Sequence, residues 1–455
     1  MSIRTSIHGQ WSSRLMFLLA ATGSSVGLGN IWKFPYITGQ NGGGAFVLVY
    51  LACILLIGVP LLMAETLIGR RGRQSPINSL ETLAWDEGAE RSWRLVGVLG
   101  ILAAWLIISF YSVIAGWTLA YTARMATGVF QNVTAAGAAS IFLDLISDPE
   151  RLLAWHTIFM MMTVAIVSKG VRSGLEQAVK VLMPLLFMLL LFLAGYSALK
   201  GNFAQGFDFM FNLNFEGITA GGILIALGHA FFTLSLGMGA IMIYGSYLPS
   251  DVSIPKATMM VALMDTVVAL LAGLTIFPIV FATGLEPASG VGLIFQTLPV
   301  AFGQMPGGMF FGMLFFLLLV FTAWTSAISL LEPIVAWLVE SLSMQRVRAA
   351  ILAGSASWLL GIVMLLSFNH WAFEFEFLGQ KKINGLFDVF DLLTSTVLLP
   401  LGGLAMAIFV GWILSKVVVM DELGQGLSFY FWYFLIRFIA PFAVLLIFLN
   451  AIGVF

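Results

Sequence analysis

Long apolar stretches alternate with short polar segments along almost the whole chain. A helix that crosses a hydrocarbon core of about 30 Å needs about 20 mainly apolar residues. A further apolar run, 290–306, is too short to span and is bounded by Gly and Pro, which predicts a re-entrant or capping helix in a loop. The pattern predicts an all-α polytopic membrane protein with eleven spans, at residues 14–36, 45–67, 95–123, 152–168, 176–199, 217–247, 256–283, 307–339, 349–368, 387–414 and 428–454.

Two of these stretches contain helix-breaking segments of the same form, Ser25–Gly29 (SVGLG) and Ser235–Gly239 (SLGMG). Unpaired peptide groups are costly in hydrocarbon, so unwound backbone at mid-depth is tolerated only where it lines a cavity. Matching interruptions in two halves of a chain are typical of secondary transporters, which bind substrate and ions between their repeats. The free N–H groups near Leu28 and Gly29 favour an anion such as a carboxylate, whereas the released carbonyls suit a small hard cation.

The composition agrees with a chain whose main partner is the lipid bilayer. Hydrophobic residues make up 60% of the chain and charged residues 9%, and the mean hydropathy is +1.01. A net charge of -1 gives no basis for nucleic-acid binding. The single cysteine, Cys53, excludes an intramolecular disulfide and a cysteine metal cluster. The first apolar stretch includes the first break, so it is not expected to be a cleavable signal.

The distribution of Lys and Arg predicts the orientation, because these residues favour cytoplasmic loops. A cytoplasmic N-terminus places fourteen of them inside and six outside, the six being Lys33, Arg124, Arg151, Lys200, Lys381 and Lys382. Eleven spans then leave the C-terminus outside a cell (plasma or inner) membrane. We expect one transporter domain, 1–455, that contains repeats at 11–199 and 217–414 and an additional span at 428–454. An odd number of spans in each repeat inverts the second copy.

Several motifs together resemble the neurotransmitter:sodium symporters, especially their bacterial amino-acid branch with the LeuT fold. They are Trp11-Ser-Ser-Arg14, Gly23–Asn30 (GSSVGLGN), Phe34-Pro35, Asn41–Phe46 (NGGGAF) and Phe231–Gly237 (FFTLSLG). The resemblance extends from Trp11 to the last span. It implies an inverted repeat of five plus five helices with spans 1 and 6 broken, plus an eleventh helix, as in some bacterial members. It also implies a sodium-coupled symporter and not an enzyme.

The resemblance implies two Na⁺ sites made of oxygen ligands, which a hard cation prefers. The first would use the substrate carboxylate with Ser25, Asn30, Thr233 and Asp265. The second would use the carbonyls of Gly23, Val26 and Thr322 and the hydroxyls of Thr325 and Ser326. The alternative for any single hydroxyl is helix packing or a bond to its own helix. The grouping of such positions on several spans around two breaks favours a cation site.

Asp265 also bears on chloride. Chloride-dependent relatives have an amide at this position and a serine one turn later, whereas this chain has Asp265 and Ala269. The resemblance therefore implies that Asp265 supplies the negative charge, and no chloride requirement is expected. The alternative is an aspartate that extends to the membrane surface.

The predicted substrate is a small molecule, a hydrophobic L-amino acid, either aliphatic or aromatic. Monoamine carriers of the family have an aspartate where this chain has Gly27, so the substrate here must bring its own carboxylate. Tyr111 matches the tyrosine that binds that carboxylate. The apolar wall is predicted to contain no charge that could pair with a charged side chain. The complete set of predicted substrate contacts is Ser24, Ser25, Gly27, Leu28, Gly29, Ile107, Tyr111, Phe232, Thr233, Ser235, Met238, Ser326 and Leu330.

Gating residues also follow from the resemblance. Lys33 and Asp391 match an extracellular ion pair, and Trp11 and Glu340 match a cytoplasmic lock. The family arginine of that lock is His8 here, which leaves His8 and Arg4 as alternatives for its place.

Three further positions match structural elements of the family. Gly174 and Pro184, with nine residues between them, resemble an element that lets span 5 unwind. Glu65 matches a glutamate that braces the second broken helix. The roles of Glu332 and His229 stay open.

Other function classes have less support in the sequence. There is no Walker motif, His-Glu-x-x-His pair or Gly-x-Ser-x-Gly elbow. A channel would need a continuous polar path, whereas the polar positions here are concentrated at mid-depth. A proton-coupled amino-acid carrier of the same fold is the nearest alternative. The preferred amino acid, the sodium stoichiometry, proton antiport and the oligomeric state stay undetermined.

Overall fold

The structure is a computed structural model that describes residues 4–284, 292–378 and 380–454, without the side chains of residues 380 and 451. In these ranges nine helices are individually long and apolar enough to cross a membrane, and the pair Arg14–Ser25 and Gly29–Gln40, bent by 52°, forms another span. The halves Ala220–Thr233 and Ala240–Ser246 form a second broken span. The nine helices are Gly44–Gly72, Arg91–Ala126, Pro149–Val167, Val171–Lys200, Ile254–Ala282, Gly308–Leu342, Arg346–Leu366, Gly385–Ile413 and Leu427–Asn450.

We number these spans 1 to 11 in chain order, so the broken ones are spans 1 and 6. Each of the eleven predicted stretches coincides with one of them, with ends that differ by a few residues. The ends differ because a helix continues past the apolar stretch until a capping or turn residue stops it. Short π-helical turns interrupt several spans, at Gly29–Lys33, Ile54–Gly58, Val171–Leu175, Leu393–Leu398, Phe409–Ile413 and Leu435–Ile439.

The loops contain shorter elements. Helices occur at Pro76–Asp86, Ala135–Ile146, Phe203–Phe211 and Lys416–Leu423, and 3₁₀ turns at Arg91–Trp93 and Phe215–Gly217. Between spans 7 and 8 a π turn, Leu293–Thr297, leads into the helix Leu298–Gln304, where a short loop helix was predicted. Residues 290 and 291 of that prediction lie outside the described residues.

A small antiparallel hairpin lies between spans 9 and 10 and was not predicted. Its strands are β1 (Phe375–Phe377) and β2 (Gln380–Lys382), with Phe375 opposite Lys382. The alternation of Phe and Glu in 373–377 is the signal that could have indicated it. The hairpin is a local addition to the predicted all-α membrane fold.

Small residues let the central helices approach closely. The second half of span 6 packs against span 2, where a Cβ added to Gly245 would lie 2.7 Å from the Thr66 carbonyl oxygen. Span 8 lies against spans 1, 3, 4, 5 and 9, and span 1 also contacts spans 5 and 7. Both broken spans are thus enclosed by other helices, so their unwound segments face protein rather than lipid.

Candidate functional site

The break in span 1 lies between Ser25 and Gly29. The first half ends at Ser25, and Val26 leaves the helical conformation with φ -70° and ψ 95°. The Val26 N–H still donates to the Thr22 carbonyl at 2.6 Å, and the next helical turn begins at Gly29. Carbonyl groups near the end of the first half therefore have no partner in a following turn, and the N–H groups of the second half face the same gap.

The break in span 6 contains three residues with positive φ, Ser235 at 55°, Gly237 at 83° and Gly239 at 74°. Glycine adopts this conformation without steric cost, whereas Ser235 requires support from its surroundings. The Ser235 hydroxyl donates to the Ser24 carbonyl of span 1 at 2.8 Å. The Gly237 N–H donates to Oε1 of the fully buried Glu65 at 2.7 Å, which is the bracing contact predicted for this glutamate.

A cavity of about 30 Å³ lies between the two breaks. All thirteen residues predicted to contact substrate line it, together with Ser329, which was not predicted. Ser329 accepts a hydrogen bond from the Ser24 hydroxyl at 2.9 Å. It lies three residues after Ser326 and so on the same helix face, which is the signal that could have found it. The small volume means that the walls of the cavity lie close together.

The polar end of the cavity is formed by span 1 and Tyr111. The Leu28 N–H donates to the Tyr111 hydroxyl at 3.3 Å, and the Gly27 N–H donates to Asn30 Oδ1 at 2.9 Å. A Cβ added to Gly27 would lie 3.1 Å from the Ser326 hydroxyl and 3.4 Å from the Tyr111 hydroxyl. Hydroxyl and N–H donors therefore converge on the space that a side chain at position 27 would fill. This arrangement suits a carboxylate.

The predicted first cation site is built around Asp265, which is fully buried on span 7. Its Oδ1 accepts from Asn30 Nδ2 at 2.8 Å, and its Oδ2 accepts from the Thr233 hydroxyl at 3.2 Å. Within the described ranges no Lys or Arg forms an ion pair with it. The Ser25 hydroxyl is buried and has no hydrogen-bond partner among the residues that the structure describes. A buried carboxylate without a cation and an unpartnered hydroxyl fit a small hard cation such as Na⁺.

The predicted second cation site lies where span 8 meets the first half of span 1. The Ser326 hydroxyl is 3.4 Å from the Gly23 carbonyl oxygen and 3.3 Å from that of Val26. The Thr325 hydroxyl is 3.1 Å from the Thr322 carbonyl oxygen. Ser326 thus meets the predicted carbonyls of span 1 and also the Ser24 carbonyl at 3.4 Å, which was not predicted. The Thr325–Thr322 contact lies within span 8, where a Cβ added to Gly23 would be 3.2 Å from the Thr325 Cβ. Carbonyl and hydroxyl oxygens without sulfur or nitrogen suit an alkali cation.

On the inner side, the structure places His8 rather than Arg4 beside Glu340. His8 Nε2 lies 3.0 Å from Glu340 Oε1, whereas Arg4 pairs with Asp86 at 2.5 Å. Glu340 also accepts from the Ser75 N–H at 2.8 Å, a contact that was not predicted.

Trp11 lies beside this contact and is buried. Its indole N–H donates to the Tyr244 carbonyl at 3.0 Å, and its ring packs edge-to-face on Tyr244 with centroids 5.3 Å apart. The N-terminal segment is thereby attached to span 6, while His8 attaches it to span 8.

On the outer side, the expected ion pair between Lys33 and Asp391 is not formed. Neither residue has an ion-pair partner within 4.0 Å among the described residues. The Lys33 ammonium lies 4.9 Å from the ring centroid of Phe232 instead. The negative face of an aromatic ring attracts a cation, so this contact replaces the ionic one in this conformation.

Span 5, which the resemblance predicts can unwind, is continuously helical in this conformation. Gly174 lies in the π turn Val171–Leu175, and Pro184 lies inside the helix that follows. The wider turn and the proline each remove or weaken backbone hydrogen bonds of this helix. The adjacent Glu176 accepts from the Ser12 N–H at 3.1 Å and so attaches the N-terminal segment to span 5.

The two residues whose roles were left open have different surroundings. Glu332 is a satisfied carboxylate, because it accepts from the Tyr247 hydroxyl at 2.7 Å and pairs with Arg346 at 2.5 Å. His229 is buried beside Phe34 and Tyr50, with ring centroids 6.0 and 5.6 Å away, and in the described part of the chain neither of its ring nitrogens has a hydrogen-bond partner.

The comparison with known families agrees with this geometry. The family model described as "Sodium:neurotransmitter symporter family" matches residues 8–133 and 144–455. The chain belongs to the sodium:neurotransmitter symporter family. This is a family of transporters and not of enzymes, so the chain is a sodium-dependent symporter and a multi-pass membrane protein.

Individual symporters are similar over nearly their whole length. An uncharacterized sodium-dependent transporter of Bacillus subtilis, YhdH, is 38% identical over 450 residues, which are 98% of each chain. An uncharacterized sodium-dependent transporter of Haemophilus influenzae is 33% identical over 449 residues, 97% of each chain. The crystal structure of MhsT in complex with L-phenylalanine is 43% identical, with a TM-score of 0.88 over 97% of this chain and 99% of that one. The symporter therefore has the LeuT fold.

Proposed function

We propose that this symporter imports hydrophobic L-amino acids, aliphatic or aromatic, by alternating access, with two Na⁺ sites and without chloride. The observation that carries the proposal is the cavity between the breaks of spans 1 and 6. Its polar end presents the Tyr111 hydroxyl and the N–H groups of span 1, and its remaining wall includes Ile107, Met238 and Leu330. A zwitterion with an apolar side chain matches both parts.

The apolar wall limits the substrate class. Ile107, Met238 and Leu330 are buried and carry no charge, and Phe232 covers the cavity from the Lys33 side. A charged substrate side chain would lose its hydration there without gaining a partner. Methionine is deformable and can fit side chains of different shape. The complex of MhsT with L-phenylalanine supports a hydrophobic substrate for its relative here.

The sodium sites share the unwound backbone with the substrate. In the first, the Ser25 hydroxyl, Asn30, Thr233 and Asp265 would hold Na⁺ together with the substrate carboxylate. Substrate and ion then stabilise one another, which couples their binding. In the second, carbonyls of span 1 and the Ser326 hydroxyl would hold Na⁺ between spans 1 and 8. Asp265 supplies the negative charge that makes chloride unnecessary.

The orientation rests on the loop charges. With the N-terminus cytoplasmic and the C-terminus extracytoplasmic, Lys and Arg are concentrated in the cytoplasmic loops. The His8–Glu340 contact and Trp11 then close the cytoplasmic side, and Lys33 and Asp391 lie towards the outside. Residues 11–199 and 217–414 form the two inverted repeats, and 428–454 the additional span.

Uptake into liposomes tests the function. Purified protein in liposomes, given an inward sodium gradient and a mixture of the twenty amino acids, should accumulate hydrophobic L-amino acids. Uptake should continue when gluconate replaces chloride and stop when choline replaces sodium. Uptake that continues in choline and follows a proton gradient would favour the proton-coupled carrier. Amino-acid flux that depends on no ion gradient would favour a channel.

Replacement of Ser326 by Ala should weaken sodium binding at the second site. The variant loses one oxygen ligand. Loss of a group that hydrogen-bonds to a charge or coordinates it costs about 1.5–3 kcal/mol, or roughly tenfold to hundredfold in affinity. The sodium concentration for half-maximal uptake should rise accordingly. Ser357→Ala is the matched control, because this buried span 9 hydroxyl donates only to the Ala353 carbonyl of its own helix. Equal sodium dependence of both variants would contradict the second site.

A further inference from the structure

Arg437 is a cation inside an apolar span. It lies in the first half of span 11, and its carbonyl accepts from the indole N–H of Trp412, next to the end of span 10 at Ile413. Charged side chains inside membrane spans are rare and normally paired. Within the described ranges, Arg437 has no carboxylate partner within 4.0 Å, and its Nε is buried without a hydrogen-bond partner. The guanidinium therefore lacks an anionic partner among the described residues.

Aromatic rings surround this guanidinium on the outer surface of the helix bundle. Its central carbon lies 4.3 Å from the ring centroid of Trp412 and 5.8 Å from that of Phe438. Its Nη1 donates to the Tyr433 hydroxyl at 3.2 Å. Trp412 and Phe438 are 53% and 49% exposed, so the guanidinium and the rings around it lie on the lipid-facing surface. Ring faces attract the cation but supply no formal negative charge.

A second cation lies near Tyr433. The Lys416 ammonium is 4.5 Å from the Tyr430 ring centroid and 5.7 Å from that of Tyr433, and Arg437 is also 5.7 Å from Tyr433. Lys416 is exposed and has no ion pair in the described part of the chain. The neighbouring Ser415 N–H donates to Glu87 at 3.1 Å. Two positive charges without an ion pair among the described residues thus lie near one tyrosine.

We propose that Arg437 and Lys416 bind the headgroup phosphate of an anionic phospholipid. Phosphate oxygens accept charge-assisted hydrogen bonds from guanidinium and ammonium groups, so the terminal N–H groups of Arg437 and the ammonium of Lys416 can donate to them. The acyl chains lie along the outward side chains of span 11, where Phe434 and Phe442 are exposed. Under the proposed orientation this is the cytoplasmic leaflet. The lipid site does not depend on the identity of the transported substrate.

Lipid binding by the full-length protein tests the site. Protein in phosphatidylcholine nanodiscs is titrated with phosphatidylglycerol, and bound lipid is counted by native mass spectrometry. One Lys or Arg near the surface contributes about fivefold in affinity for anionic lipid, so Arg437→Gln and Lys416→Gln should each weaken phosphatidylglycerol binding about fivefold. Arg437→Lys should retain most of it. Arg348→Gln is the control, an exposed span 9 arginine without an ion pair among the described residues.

Three results would overturn the lipid site. The first is equal phosphatidylglycerol binding by wild type and by both glutamine variants. The second is displacement of phosphatidylglycerol by inorganic phosphate in detergent, which would indicate a site for free anions. The third is a change in the monomer–dimer ratio of Arg437→Gln in pure phosphatidylcholine, which would assign the anionic partner to a second copy of the chain. Lys416 is exposed, so Lys416→Gln should fold normally. It therefore tests the lipid site even if Arg437→Gln does not fold.

Discussion

Replacement of Asp265 by Asn should weaken sodium-dependent amino-acid binding about hundredfold or more. Asparagine keeps the size of the side chain and can still accept from Asn30, which donates to Asp265 at 2.8 Å in the structure. Only the negative charge is lost. Removal of one partner of a buried charge pair costs about 3–5 kcal/mol, and 1.4 kcal/mol corresponds to tenfold in affinity. The measurement is the sodium concentration for half-maximal binding of labelled amino acid to purified protein.

The matched control for this variant is Asp251→Asn. Asp251 is an exposed aspartate in the loop before span 7, so loss of its charge should leave sodium dependence unchanged. If Asp265→Asn binds sodium as tightly as this control does, Asp265 is not a ligand of the first site. Wild-type uptake that increases with chloride at constant sodium would separately contradict the proposed role of this carboxylate.

Replacement of Tyr111 by Phe should weaken amino-acid affinity about tenfold to hundredfold. The Tyr111 hydroxyl lies beside the Leu28 N–H and close to the Gly27 Cα, where the substrate carboxylate is proposed to bind. A hydrogen bond to a charged group contributes about 1.5–3 kcal/mol. The ring and its packing are kept, so the protein should fold normally. The measurement is the concentration dependence of uptake at saturating sodium.

Tyr121→Phe provides a control on the same helix. Tyr121 is also buried on span 3, beside Arg124, and its hydroxyl is not part of the described cavity lining. Loss of that hydroxyl should leave substrate affinity unchanged. A Tyr111→Phe protein that binds amino acid as tightly as Tyr121→Phe would place the carboxylate elsewhere in the cavity.

Most of the fold could be predicted from the sequence because membrane spans are specified locally. A stretch of apolar residues must be helical in lipid, since every backbone group needs an internal partner. The breaks at Ser25–Gly29 and Ser235–Gly239 could also be predicted, because the weakening of a helix by glycine is a local effect. The β1–β2 hairpin was missed because its three-residue strands lie in a loop, where hydropathy carries little information.

The candidate site was assigned mainly through resemblance to the symporter family, and the structure then showed which side chains meet. It placed all the predicted substrate contacts around one cavity and added Ser329. It selected His8 over Arg4 at Glu340 and paired Glu332 with Arg346. It did not form the Lys33–Asp391 pair, because the Lys33 ammonium lies over Phe232.

The sequence by itself determined the spans, the two breaks and the residue types available at mid-depth, since each depends on a short stretch of chain. Only the tertiary structure decided which of these groups touch. The Ser326 hydroxyl meets the Val26 carbonyl, 300 residues away, and His8 meets Glu340, 332 residues away. Such contacts arise when rigid helices pack at particular distances and rotations, and local periodicity contains no information about either.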